Sequence, residues 1–247
     1  MDHLANFLEL RGRNASGSVD SIKSLATEFV NDPQFITGFD YLKPQTSILV
    51  GQVQSGKTGH YLGIAAAVAD KEPRFPIFLL LTQNSVSLQQ QTLKESIKLL
   101  TTFDVFDESR QVEFELSLSS SSSPKMVVLK KNKTPLRKWL RILNQDLLSG
   151  RPLFIIDDEA DSTGLNTRVN VPDQSDINEI LEELISTTND YFLQVTATPQ
   201  AIFLQNKVSV FRPKSHLQFK PGTGYLGGNF FFPESTMPYS YKQTDTP

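Results

Sequence analysis

The chain has 247 residues, of which 38% are hydrophobic and 21% charged, the composition of an ordinary globular protein rather than a disordered or fibrous one. Its net charge of −3 excludes a molecule that draws nucleic acid to its whole surface, so any such binding must come from a local patch. It has no cysteine, which excludes disulfides and thiolate metal sites, and its histidines, His3, His60 and His216, are too scattered in sequence to suggest an imidazole cluster.

Residues 1–44 read as a helical segment with a turn near 31–34. From 45 onward, aliphatic runs alternate with helical patterns. Strands are predicted at 46–50, 76–82, 126–129, 153–157 and 191–197, with helices at 57–70, 85–100, 135–148 and 174–190. Strands that are apolar at nearly every position are buried on both faces, and their alternation with helices implies parallel pairing. The expectation is a doubly wound, mostly parallel α/β domain over 45–205. Residues 103–123, acidic and then a serine tract, read as a mobile surface insertion. Residues 206–247, rich in Gly, Pro and Phe, read as the incomplete start of a further region. The amino terminus MDHLANFLEL has no basic-then-apolar leader, and the apolar runs at 62–69 and 75–81 fall far short of the ~20 residues a spanning helix needs. A cytoplasmic protein that does not enter a membrane is expected.

The stretch GQVQSGKTGH, residues 51–60, carries the strongest chemical signal. Gly51, four residues, then Gly56-Lys57-Thr58 is the phosphate-binding pattern G-x-x-x-x-G-K-[ST], with a strand before it and a helix after it. Glycines let successive N–H groups turn onto one anion, and the helix amino terminus adds partial positive charge. Gly51, Gln54, Ser55, Gly56, Lys57, Thr58 and Gly59 are the expected ATP contacts, with Lys57 on the β- and γ-phosphates and the Thr58 hydroxyl on Mg²⁺. A second strand, LFIID, ends in Asp157, Asp158, Glu159 and Asp161. Carboxylates crowded at a strand terminus need a cation to offset them. Asp158 is the expected metal residue, acting through water, with Asp157 its rival; Glu159 is the expected base that orients the attacking water.

These motifs resemble those of superfamily 2 helicases and translocases. DEAD at 158–161 has the form of their second motif, TATP at 196–199 that of the third, and LTQNSVSLQQQ at 81–91 is similar to motif Ia. The resemblance implies a RecA-like lobe over 45–205. It also implies that Thr196, Ala197 and Thr198 couple the ATP site to a nucleic-acid track, and that Thr82 and Gln83 touch nucleic acid, DNA before RNA. A second RecA-like lobe or a nuclease partner is implied as well. IIDDEAD, TATPQA and GYLGGNFFF further resemble a bacterial family of Z-one domain endonuclease-like ATPases linked to restriction and phage defence. Neither a second lobe nor a nuclease signature is recognised in the sequence.

Lys125, Lys130, Lys131, Lys133, Arg137, Lys138 and Arg141 form an acid-free basic segment around Trp139. Lys130, Lys131 and Lys133 are candidate phosphate contacts, and Trp139 a candidate stacking platform. The competing reading is a helix that buries Leu136, Trp139, Leu140 and Leu143 and leaves its cations solvated. The function expected is an ATPase lobe that couples ATP to nucleic acid. The alternatives are a nucleotide switch that controls assembly of a defence complex and a small-molecule kinase, which the paired motifs disfavour.

Overall fold

Five aliphatic runs become strands because their side chains are covered on both sides: β1 (Gln45–Val50), β2 (Ile77–Thr82), β4 (Lys125–Lys130), β5 (Leu153–Asp158) and β6 (Tyr191–Thr196) are buried almost throughout. With β3 (Asp104–Asp107) and β7 (Ser215–Gln218) they form a seven-stranded sheet in the order β3-β4-β2-β5-β6-β1-β7, parallel at every pairing. The computed structural model describes residues 2–13, 18–33, 45–52, 55–74, 76–144, 151–162, 172–185, 190–203 and 209–219.

One face of the sheet is covered by α1 (His3–Gly12), α2 (Val19–Asn31), α3 (Lys57–Lys71) and α4 (Val86–Leu99), which share a core with Phe78, Phe154 and Tyr191. The other is covered by α5 (Gln111–Ser120), α6 (Lys133–Leu143) and α7 (Pro172–Ile185). A short α8 (Gln200–Phe203) follows β6. The amino-terminal helices are therefore part of the domain, with Ile22 and Phe29 of α2 buried in the core they share with α3. Among the described residues, no helix is long and apolar enough to cross a membrane.

The expectation of a mobile insertion over 103–123 does not hold. Residues 104–107 form edge strand β3, paired with β4, and 111–120 form α5. Phe106, Phe114 and Leu118 are buried, and the Phe114 ring meets Trp139 edge-on at 5.1 Å. A few well-placed aromatics suffice to fold a stretch whose average composition is polar. The boundary at 205 also shifts, because β7 lies beyond it and pairs with β1. Residues 220–247, including GYLGG, lie outside the described residues, as do the expected helical ends at 145–148 and 186–189.

Candidate active site

The strands that carry the candidate chemistry are neighbours in the order β5-β6-β1, so their carboxyl-terminal tips adjoin. Open α/β sheets bind ligands at this edge. Gly56 precedes α3 with φ +87, a left-handed conformation that a side chain would strain, and it lets the chain turn from β1 into α3. Gly51 follows β1 and donates its N–H to the Thr196 carbonyl at 3.1 Å, tying the loop to β6. A Cβ at Gly51 would come within 2.5 Å of the Phe219 ring, so only glycine fits there. Ser55 is buried, and its hydroxyl has no hydrogen-bond partner among the described residues. Gln54 lies outside them.

Lys57, the first residue of α3, points its ammonium toward the Glu159 carboxylate, 3.9 Å away. One turn on, the Tyr61 phenol donates to Asp158 Oδ2 at 3.3 Å. Burial pushes the Tyr61 phenol well above its usual pKa and the Asp158 charge adds to this, while a hydrogen bond with Thr58 opposes it. Thr58 and Asp158 thus bear on one hydroxyl, which places them on the same side of the sheet. Burial also raises the Asp158 carboxyl, to about 6, with the Glu159 charge reinforcing the shift and Lys131 and Lys57 opposing it. A charged Asp158 is therefore costly here without a cation.

Asp157, the rival metal residue, is taken. It is fully buried and its Oδ1 lies 2.8 Å from the Lys131 ammonium, whose side chain has 0% exposure. Glu159 sits just past the strand with φ 59, the left-handed region, which costs a non-glycine residue about 1–3 kcal/mol. Asp161, on the short 3-10 turn that follows, accepts a hydrogen bond from the Thr198 hydroxyl, and the Thr198 N–H donates to Thr196 Oγ1 at 2.9 Å. The residues expected to couple the motifs, Thr196, Ala197 and Thr198, thus lie beside the acidic turn.

The nucleic-acid candidates fare unevenly. Lys131 is sealed in its ion pair and cannot reach a phosphate. Thr82 is buried, with its hydroxyl donating to the Leu129 carbonyl at 3.3 Å. Lys130 is paired with Glu108 at 3.0 Å, and exposed Lys133 is ion-paired with Asp176. Gln83, just past the β2 tip, is half-buried. Trp139 is core, its indole N–H donating to the Glu108 carbonyl at 3.2 Å, while Arg137, Lys138 and Arg141 form the solvated face of α6. Lys125 lies at the opposite end of β4 from the site.

Sequence reasoning missed Tyr61 and the role of Lys131. It also missed His60, whose Nδ1 donates to the Gly56 carbonyl at 3.0 Å and whose Nε2 accepts from the Ser21 hydroxyl at 3.0 Å. The His60 ring stacks on Phe219 at 3.6 Å, and burial lowers its pKa to about 4. Its spacing three residues after Lys57 was the available signal.

No family model matches the chain, and no curated protein matches it. The closer resemblance to Z-one endonuclease-like ATPases therefore rests on short segments. Among solved structures, the chain is similar to a nuclease-deletion mutant of the Type ISP restriction-modification enzyme LlaGI in complex with a DNA substrate mimic, with TM-score 0.51 and 15% identity over 81% of this chain and 19% of that one. It is also similar to Mss116p bound to ssRNA and AMP-PNP, with TM-score 0.48 and 18% identity over 80% and 44% of the two chains. A third is the Sulfolobus solfataricus SWI2/SNF2 ATPase core in complex with dsDNA, with TM-score 0.46 and 14% identity over 78% and 34%. The chain spans less than half the length of each. At these identities the likeness is one of fold, and the LlaGI match carries it: this is a RecA-like α/β domain.

Proposed function

We propose that this chain is the ATP-binding lobe of a helicase- or translocase-type ATPase that couples ATP to nucleic acid. The observation that carries the reading is the meeting of two motifs far apart in sequence: Lys57 of the glycine loop faces Glu159, and Tyr61 of the same helix holds Asp158. The residues fit a magnesium-bound triphosphate. Ser55 has a buried hydroxyl with no hydrogen-bond partner among the described residues, and Asp158 is a half-buried carboxyl that its surroundings penalise when charged. No three His, Cys, Asp or Glu side chains converge among the described residues. Magnesium needs no such cage, since it keeps waters and takes phosphate oxygens as ligands. Thr58 and Asp158 would hold it, and when bound it neutralises charge that builds on the phosphates.

In this reading the loop amides and Lys57 grip the phosphates. Glu159 orients water by accepting its proton, and the Asp161–Thr198 hydrogen bond passes the state of the acidic turn to β6. LlaGI, similar in fold, was captured with a DNA substrate mimic, which supports DNA as the coupled polymer. With the IIDDEAD and TATPQA segments, it also supports a role in restriction or phage defence. Gln83 and the cations of α6 are the contacts we put forward for nucleic acid, with a second RecA-like lobe or a nuclease as the partner.

The test is ATP turnover by the full chain, alone and with duplex DNA, single-stranded DNA or RNA. DNA-stimulated turnover is expected. Turnover indifferent to every polymer refutes the coupling, and tight ATP binding with ATP-dependent assembly but no turnover identifies a nucleotide switch instead.

A further inference from the structure

Lys131 follows the last residue of β4, and its own N–H bonds the Thr82 carbonyl at 2.8 Å. β4 is not next to β5, because β2 lies between them. The Lys131 side chain therefore crosses the tip of β2 to reach the acidic turn. There its ammonium meets Asp157 Oδ1 at 2.8 Å and donates to the Asp158 carbonyl at 2.8 Å and the Glu159 carbonyl at 3.0 Å. Two of its three donors are thus spent on consecutive carbonyls of one turn, with the Asp157 carboxylate beside them as an ion-pair partner.

The two carbonyls lie at the start of the left-handed turn at Glu159. The sheet gives no support at residue 159, since the β2–β5 register ends at Leu81↔Asp157 and the β5–β6 register at Asp158↔Val195. Lys131 donates to the carbonyl of the last registered residue, Asp158, and to that of the first residue beyond it, Glu159. Its charge also bears on both Asp157 and Asp158, while Glu159 faces Lys57.

Resting on the reading of Glu159 as the group that orients water, we infer that Lys131 is a positioning residue: its ammonium clamps the turn at 157–159 in the left-handed form that aims Glu159 at the phosphate site. A buried ion pair is weak evidence for stability alone, since an apolar pair of similar volume often serves as well or better. The carbonyl contacts are what an apolar pair could not reproduce.

The test uses the full chain with Lys131→Met and Asp157→Leu combined, so that no lone charge stays buried, and compares it with Lys125→Met, a buried lysine remote from the site. Hydrogen exchange over 157–162 and steady-state ATP hydrolysis are measured in variants whose far-UV dichroism matches the parent. The clamp predicts exchange at least ~10-fold faster over 157–162 in the double variant alone, and kcat lowered roughly 10–100-fold with KM little changed. If the double variant does not fold, Lys131→Arg replaces it: the planar guanidinium keeps the charge but cannot aim its donors at the two carbonyls in the same way, and the same two changes are expected. Parental exchange over 157–162, or faster exchange with parental kcat, overturns the inference. A parent that never hydrolyses ATP sinks the role of Glu159 instead, and the exchange result then decides the clamp by itself.

Discussion

Strand β4 begins on one buried lysine, Lys125, and is followed at once by another, Lys131, so its two ends can be compared contact by contact. At the start, the Lys125 ammonium meets Asp104 Oδ2 at 2.7 Å and donates to the Ser121 and Ser123 carbonyls at 3.1 and 2.8 Å. At the other end, Lys131 meets Asp157 and donates to the Asp158 and Glu159 carbonyls. The device is the same: one carboxylate and two main-chain oxygens around one ammonium. What differs is the partner. The Asp104 side chain is 34% exposed and belongs to the edge strand, whereas Asp157 is 2% exposed and borders the candidate base. Lys125 fastens β3 and the serine tract to the sheet, while Lys131 shapes the turn where chemistry is proposed. A buried charge is thus structural or functional according to what it holds.

The largest effect that could break this contrast is on hydrolysis. Glu159→Gln should slow ATP turnover roughly 10²–10⁴-fold while leaving ATP binding in place, as expected on removing a general base. Single-turnover assays with bound nucleotide check it, and retained turnover would move the base elsewhere. Next comes stability. Lys131→Met strands the Asp157 charge in the core and should cost about 3–5 kcal/mol. Lys125→Met leaves a carboxylate that water reaches, so it should cost less, about 1–2 kcal/mol. Urea unfolding of both variants ranks them, and equal losses would erase the distinction.

A subtler probe is pH. The folded Asp158 keeps its proton up to about 6 against an ordinary 3.8, so folded chains bind more protons than unfolded ones in that window and stability falls as pH rises through it. His60 acts the other way: its folded pKa is about 4 against 6.5, so unfolded chains bind more protons and stability rises with pH. Asp158→Asn removes the falling contribution. Its stability should climb more steeply from about pH 4 to 6, and exceed that of the parent at pH 7 by on the order of 1–3 kcal/mol. Superimposable pH profiles would contradict this. The smallest expected effect is that of Tyr61→Phe, about 1 kcal/mol for one lost hydrogen bond to Asp158, read by thermal unfolding.

Much of the fold was legible because unbroken aliphatic runs have few places to go other than a sheet covered on both faces. The turn from β1 into α3 was legible too, since Gly51 and Gly56 stand between an aliphatic run and a helical pattern and Gly56 takes the left-handed conformation; its grip on phosphate is the proposal. Residues 104–120 were not, because five acids and the serines that follow outweighed Phe106 and Phe114 in any average. The basic segment misled for a related reason. Sequence gives the charge of Lys125 and Lys131, but their burial depends on β4 lying between β3 and β2, which is a property of topology. Tyr61 was hidden because the residues that follow it in the helix, 62–69, are all apolar or small, and its Asp158 partner arrives only with β5.

The claim on which the rest stands is that the loop at 51–58 and the acidic turn of β5 share one magnesium-bound triphosphate. Calorimetric titration of the full chain with ATP in magnesium, beside Lys57→Ala, tests it most directly. The account predicts saturable one-to-one binding by the parent and at least ~10-fold weaker binding by the variant, the loss of one charge-assisted phosphate contact. No binding by the parent, or equal affinity in the two, would contradict it.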